Sequence, residues 1–376
     1  MSWKEMDVMS IREEFVQLGM QKGSNIRMLC RRYEISSRTA YKWIQRYKQG
    51  GKSGLADRSK RPERSPKRTA EKMEQLVLQK REETGWGGRK IARVLRDEKQ
   101  ENVPHPNTIT DILRRNGKIS VDESQKHTTW QRYEREQPNE LWQMDFKGHF
   151  GMLQGRCHPL TLLDDHSRFC LGLRACGDET METLRPHLAS IFRLYGLPLA
   201  ILCDNGGPWG SGSPHLELTR LTVWLIRLGI RVTHGRPSHP QTQGKDERFH
   251  RTLKAEVLQG SAFADLEDCQ RHFDPFRERY NLVRPHEALG MDTPGQHYQP
   301  SPLPFPEVLP PVEYDHGQIV RKVQSRGIIY FKNREFRVGK ALQGQSVRLC
   351  STEVDGCFDV FFCTTKVDQI NFAVQP

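Results

Sequence analysis

Leu199-Ala-Ile-Leu-Cys-Asp204-Asn-Gly-Gly207 is a short apolar run that stops at an acidic residue and a glycine pair. It shows no alternation and is too brief for a buried helix, so it predicts a strand covered on both faces, as in parallel segments with helices above and below. Ahead of it, Thr180 to Tyr195 reads as a helix closed by Gly196. Behind it come a helix over about Leu216 to Leu228 that stops at Gly229, a strand over Ile230 to Thr233, and a helix opening near Gly244. Upstream, Leu141-Trp-Gln-Met-Asp145-Phe-Lys-Gly148 alternates, with Trp142, Met144 and Phe146 on one face and Gln143, Asp145 and Lys147 on the other. Pro159 to Asp165 and Phe169 to Gly177 read as two more strands. Three strands in a meander, then alternating helix and strand, predict a mixed α/β sheet.

Three carboxylates stand out by their places in that order. Asp145 lies in the first strand, Asp204 at the C-terminal end of the buried strand, and Glu247 early on the last helix. Strand ends beside a parallel segment are where open α/β sheets gather ligands. A lone Asp is commonly a surface or turn residue, but three converging carboxylates suit hard divalent cations and leave positions for water and phosphate.

At ~150 residues per domain the 376-residue chain holds two or three domains. Its charge is uneven. Positions 1 to 120 carry 28 basic and 15 acidic residues, or +13, and the remainder 30 against 31, or −1. Such an excess points to a polyanion partner, nucleic acid first, because lysines and arginines displace counterions from phosphates. No apolar run approaches ~18 residues, and the start MSWKEMDVMSIREEF has no apolar core, so neither a membrane span nor a secretory signal is expected. Nine scattered cysteines with no paired His spacing predict free, mostly buried thiols and no zinc site. The expected setting is the reducing cytoplasm.

Within the basic third, Ser10-Ile-Arg-Glu13 reads as a capping box. Ile26, Leu29, Cys30 and Tyr33 share one helical face, and after a short break Ala40, Trp43, Ile44 and Tyr47 share another. Two short helices joined by a tight turn predict a helix-turn-helix, with Arg38, Lys42, Gln45 and Arg46 on the outer face of its second helix suited to bases and phosphates. Residues 58 to 68 hold six basic residues and no apolar one; Arg61, Arg64, Lys67 and Arg68 predict a basic strap fit for a minor groove. A second helical unit follows, broken at Gly85-Trp-Gly-Gly88 and ending in a helix capped at Asn107, with Arg114 and Arg115 outside.

Five separated motifs carry a resemblance: Gln143-Met-Asp145-Phe, Leu163-Asp-Asp-His-Ser-Arg168, Cys203-Asp204-Asn-Gly, His239-Pro-Gln-Thr-Gln-Gly-Lys-Asp-Glu247-Arg-Phe-His, and Tyr280-Asn-Leu-Val-Arg-Pro-His-Glu-Ala-Leu289 with Pro294. In this order they resemble the DDE transposases of the retroviral-integrase-like group, in particular bacterial insertion-sequence enzymes with a ribonuclease-H-like core. The resemblance implies Asp145, Asp204 and Glu247 as catalytic metal ligands for two Mg²⁺ ions, with Mn²⁺ as a substitute. It implies DNA as partner, both the element's terminal inverted repeats and the target, and at least a dimer when two ends are brought together, in a bacterial, nucleoid-associated setting. In that family the Glu247 helix lies along element-end DNA, which makes Arg251 and Lys254, one and two turns on, expected contacts. One departure is spacing: 42 residues separate Asp204 from Glu247 where about 35 are common, the extra falling in the Gly/Ser/Pro loop Pro208 to His215. Another is the absence of the viral His/Cys zinc unit.

The chemistry stands beside the name. Two Mg²⁺ ions ~3.5 to 4 Å apart activate water or a 3′-hydroxyl and stabilise the leaving oxygen, so no Ser, Tyr or Cys nucleophile is needed. The expected organisation is a helix-turn-helix domain over 1–56, a basic linker over 57–68, a second helix-turn-helix domain over 69–120, a ribonuclease-H-like core over 121–299, a proline-rich linker over 300–314 and a small β-barrel over 315–376. Arg321, Lys322, Arg326, Lys332, Arg334 and Arg337 give that last domain a basic beginning. Two other classes share parts of this pattern. A non-catalytic DNA-binding regulator or domesticated transposase would need only the helix-turn-helix units, and a ribonuclease-H-type nuclease would not need them.

Overall fold

In the computed structural model, which describes residues 8–57, 68–119, 135–204, 206–210, 218–235 and 244–372, the chain divides into two compact units, Met1–Arg68 and Thr69–Pro376. In the first, helices α1 (Val8–Met20), α2 (Ile26–Arg32) and α3 (Ser37–Gly50) close on Phe15, Leu29, Cys30, Ala40, Trp43 and Ile44. The Asn25 side chain caps α2 and the Ser36 side chain caps α3, each satisfying a first-turn N–H. The break between them makes α2 and α3 the expected helix-turn-helix. Ser10 is not a cap: the helix is already running at Val8, and Glu13 pairs instead with Lys52 at 2.8 Å.

The second unit opens with α4 (Glu71–Thr84), α5 (Gly88–Asp97) and α6 (Pro106–Arg115), packed around Val77, Trp86, Ile91, Leu95, Ile109, Ile112 and Leu113. Helix α6 starts one residue before the expected Asn107 cap. Pro106 has no N–H to satisfy at the first position, and the His105 ring accepts from the Asn107 N–H. At Gly88 a Cβ would stand 2.3 Å from Thr110 Oγ1 and 2.6 Å from the Pro106 carbonyl oxygen, so only glycine lets α5 cross α6 this closely.

The sheet is built from β1 (Trp142–Phe146), β2 (Phe150–Gly151), β3 (Arg156–Asp164), β4 (Cys170–Cys176), β5 (Ala200–Cys203) and β6 (Arg231–His234). Its order is β2-β3-β1-β5-β6 with β4 also on β3; β1, β3 and β4 pair antiparallel, and β5 runs parallel to both β1 and β6. This is the expected mixed sheet. Leu162 and Leu163 fall in different cores, as strand alternation requires. One face, with Trp142, Met144 and Leu162, is covered by α7 (Met181–Tyr195) and α8 (Arg220–Arg227). The other, with Leu163, Cys170 and Leu173, is covered by α9 (Gly244–Leu253) and α10 (Leu266–Leu282). Asn281 on α10 exchanges two hydrogen bonds with the Cys170 backbone, 2.8 and 2.9 Å, which fastens the Tyr280–Asn281 motif to β4 before the short α11 (Pro294–His297).

Beyond α11 the proline-rich stretch is not a free spacer. Phe305 and Leu309 pack on the core, and Glu307 pairs with Arg193 at 2.7 Å. The C-terminal part has a four-stranded antiparallel sheet, β12 (Thr365–Asn371)-β11 (Cys357–Phe362)-β10 (Ser346–Ser351)-β7 (Ile319–Lys322), and a separate hairpin of β8 (Ile328–Phe331) and β9 (Arg334–Arg337). The expected barrel is therefore not closed: no ladder joins the hairpin to the sheet among the described residues, and both instead share one apolar core with Val223 and Ile226 of α8. All nine cysteines are free, seven of them buried.

Candidate active site

Parallel pairing of β1 with β5 puts Gln143 level with Leu202, and two residues further along each strand come Asp145 and Asp204. The two carboxylates thus share one end of the sheet. Burial, then the Asp204 charge, pushes the Asp145 carboxyl up to about 7; Glu179 and Glu247 add smaller pushes, and a 2.8 Å hydrogen bond from the Phe146 N–H opposes them. Burial also raises Asp204, against a hydrogen bond from the Gly206 N–H at 3.1 Å. A side chain at Gly206 would lie 3.2 Å from Asp204 Oδ2, so glycine keeps this approach open. His234 hydrogen-bonds the Asp204 carbonyl at 2.8 Å. Glu247 is exposed in the first turn of α9.

What aims α9 is a set of anchors on β1 and β3. Lys245 forms a buried ion pair with Asp165 at 2.5 Å, and Asp165 also accepts from the Gln143 side chain at 2.7 Å. His250 meets Thr161 Oγ1 at 2.9 Å, and that hydroxyl donates to the Asp145 carbonyl at 3.0 Å. Burial lowers His250 to about 4, so the ring is neutral and serves as a hydrogen-bonding peg. Asp164 accepts from the Asn139 N–H, the Ser167 N–H and the Ser167 hydroxyl, which makes it the cap of the β3–β4 turn. Beside the site, Trp209 stacks on Phe146 at 5.7 Å, while the rest of the inserted loop, residues 211–217, lies outside the described residues.

Sequence reasoning did not single out two acidic neighbours. Glu179 follows β4 in no motif, yet it pushes on both Asp145 and Asp204, and it is paired with His158 at 2.8 Å. Asp246 reads as one more polar residue of a helix start, but it is buried with both oxygens lacking a hydrogen-bond partner among the described residues. Only its i+3 relation to Phe249, an apolar core residue, hinted at an inward face.

The donors fit a hard divalent cation: acceptor-only carboxylates whose mutual repulsion a cation would relieve. Among the described residues no three His, Cys, Asp or Glu side chains already stand in ligand geometry.

The expected DNA contacts divide. Arg38, Lys42 and Gln45 are exposed on α3, whereas Arg46 is half-buried; Lys42 and Arg46 lie 4.8 and 5.0 Å from the Trp43 ring centre. Arg251 and Lys254 are exposed past Glu247. Arg114 pairs with Asp111 at 2.7 Å, and Arg115 is committed to the mostly buried Glu74, which ties α6 to α4. Arg68 is exposed; Arg61, Arg64 and Lys67 lie outside the described residues.

An integrase core domain matches residues 135–240, and a second integrase core description matches 228–294. A helix-turn-helix domain matches 11–63 and a homeodomain-like domain 39–113, and the C-terminal domain of IS481 family transposases matches 318–375. An uncharacterized 39.2 kDa protein of insertion element IS476 from Xanthomonas euvesicatoria is 27% identical over 187 residues, 49% of this chain and 49% of that protein. The Gag-Pro-Pol polyprotein of Simian retrovirus SRV-2 is 33% identical over 119 residues, 31% of this chain and 6% of the polyprotein. The chain thus spans half or less of the length of these curated relatives. Among solved structures, the simian T-cell lymphotropic virus intasome in complex with a PP2A regulatory subunit is similar at 16% identity with a TM-score of 0.39, covering 79% of this chain and 96% of that one. The HTLV-2 integrase catalytic core in complex with magnesium is similar at 17% identity with a TM-score of 0.31, covering 43% and 97%.

An integrase core behind helix-turn-helix domains defines the class of the chain. Its C-terminal match to IS481 family transposases and its IS476 relative narrow this further: together they support an insertion-sequence transposase of the integrase family.

Proposed function

We propose that the chain binds the terminal inverted repeats of a mobile element, cleaves the element ends by metal-dependent phosphodiester hydrolysis, and joins the resulting 3′-OH to target DNA by transesterification. The observation that carries this reading is the pair Asp145 and Asp204 at one end of parallel strands, where burial first and the Asp204 charge next push Asp145 up to about 7. Asp145, Asp204 and Glu247 would hold the Mg²⁺ ions, two by the family pattern, with Mn²⁺ as substitute. Bound there, the cations supply activation of water or 3′-hydroxyl near neutral pH and stabilisation of the leaving oxygen.

The protein's own residues orient. Lys245–Asp165 and His250–Thr161 hold the start of α9, which carries Glu247, against the β1–β3 side of the sheet. Arg251 and Lys254 extend from it as phosphate contacts, Arg38, Lys42, Gln45 and Arg46 read the repeat from α3, and Arg61, Arg64, Lys67 and Arg68 add basic contacts to the DNA. Arg114 and Arg115 supply the weaker part of the contact through α6. Pairing of two element ends calls for at least a dimer.

Purified protein incubated with Mg²⁺, DNA ending in the element's terminal repeat and a target plasmid should yield 3′-end nicks and joined products. Glu247→Gln should lower both by at least ~100-fold without changing repeat binding. Absence of nicks and joints from the wild type, or full activity in Glu247→Gln, overturns the reading.

A further inference from the structure

Past Leu253 the helix that carries Glu247 widens into a π turn, Lys254–Leu258. Such turns redirect side chains that a regular helix would leave on its flank. Glu256 in this turn meets the second helix-turn-helix domain. Its Oε1 accepts from Trp86 Nε1 at 3.2 Å and from Arg284, and its Oε2 from Arg279 at 3.2 Å. The Arg284 guanidinium also lies 5.8 Å from the Trp86 ring centre. The Glu256 and Arg284 side chains are each 13% exposed, so this is a desolvated joint and not a rim pair.

More of α5 follows the same seam. Arg93 binds Asp292 at 3.0 Å, and Lys90 is lowered to about 8, by burial first and Arg284 next. The basic start of α5 therefore faces the core, while on α6 Asn107, Thr108, Asp111, Arg114 and Arg115 stay exposed. A docked α5 with an open α6 is an arrangement for holding a DNA-reading helix at a set place relative to α9.

We propose that Glu256 is a positioning residue: by joining Trp86 to the helix of Glu247 it fixes the span between the repeat sequence read through α6 and the phosphodiester presented to Asp145, Asp204 and Glu247, and so sets where the element end is cut. This rests on the function proposed above. A carboxylate shared by three donors is directional, and a shift of the reacting phosphate by about 1 Å can cost about 100-fold in rate.

The test uses the full chain with Mg²⁺ and end-labelled terminal-repeat DNA, mapping every cut. Glu256→Ala and Trp86→Phe should each spread cleavage from one phosphodiester to its neighbours and lower kcat by about 10- to 100-fold, with KM for repeat DNA within about twofold. Glu256→Gln, which keeps an acceptor for Trp86, should fall between. In the same proteins, hydrogen exchange at residues 86–93 and 254–258 should rise together in Glu256→Ala. A single sharp cut at wild-type rate in both variants overturns the proposal, as does loss of KM alone. If Glu256→Ala is unfolded at the assay temperature, Trp86→Phe, which leaves the Arg279 and Arg284 pairs intact, decides by the cut pattern. If the wild type makes no cuts, the functional reading has failed; unchanged exchange in Glu256→Ala then rejects the joint as well.

Discussion

Asp246 precedes Glu247 and faces the opposite way, into the core, where neither of its oxygens finds a partner among the described residues. Burial raises its carboxyl well above the ordinary 3.8, and the Asp145 and Asp165 charges add to that. Both Asp145 and Asp246 are therefore protonated more readily when folded than when unfolded. Raised carboxyls contribute stability that is complete below about pH 4 and lost as pH rises, for Asp145 through about 7. The metal-free protein should accordingly melt lower at pH 8 than at pH 5. Asp246→Val should recover part of that loss, on the order of 1–3 kcal/mol at pH 8, because an unsatisfied buried carboxyl is replaced by an apolar group of similar size. Mg²⁺ or Mn²⁺ should raise the pH 8 melting temperature and leave the pH 5 value unmoved. Calorimetry at the two pH values checks all three, and a melting temperature that climbs with pH, or is lowered by Asp246→Val, contradicts the assignment. Asp145, Asp204 and Glu247 stood out in the sequence by their places in the first strand, at the end of the buried strand and at the start of the last helix. Asp246 and Glu179 did not, because burial and charge proximity are properties of packed elements.

Elements with a periodic apolar face came through from sequence nearly intact. Helices α2, α3 and α5 and strands β1, β3, β4 and β5 lie within a few residues of their expected places, since alternation and i, i+3, i+4 spacing directly encode which face is buried. Starts were less legible. Ser10 matches a capping box but falls inside α1, and the start of α6 is set by Pro106 and not by Asn107. The proline-rich segment looked like a spacer because composition does not reveal that Phe305 finds the core. One glycine gives this scale its prediction. At Gly88 an added methyl meets Thr110 Oγ1 and the Pro106 carbonyl, groups that cannot give way without moving α6. Gly88→Ala should destabilise the second helix-turn-helix domain by roughly 1–3 kcal/mol. Local hydrogen exchange in α5 and α6 would show it, and a rise in protection there would refute it.

Over the whole molecule the charge excess is less evenly shared than two helix-turn-helix units suggest. Residues 1–68 hold 17 basic and 7 acidic residues, +10, whereas residues 69–120 hold 11 and 8, only +3. Within the latter, Lys80, Arg89, Arg93, Arg114, Arg115 and Lys118 all have acidic partners. Binding to repeat DNA that releases counterions should therefore be dominated by the first unit. Deleting residues 1–68 should reduce the slope of log K against log salt by more than half, as each phosphate contact contributes about 0.9 to that slope. Fluorescence anisotropy at several salt concentrations measures it, and an unchanged slope would assign the phosphate contacts elsewhere. The sequence by itself determined the mixed sheet and the helix-turn-helix units, because periodicity and punctuation act locally along the chain. Only the tertiary structure decided that Asp145 and Asp204 share one end of the sheet, that Asp246 is buried near Asp145, that the C-terminal strands form an open sheet and a hairpin, and that Glu256 joins Trp86 to the helix of Glu247. Each of these depends on residues far apart in the chain meeting where water is excluded, and no local spacing records such a meeting.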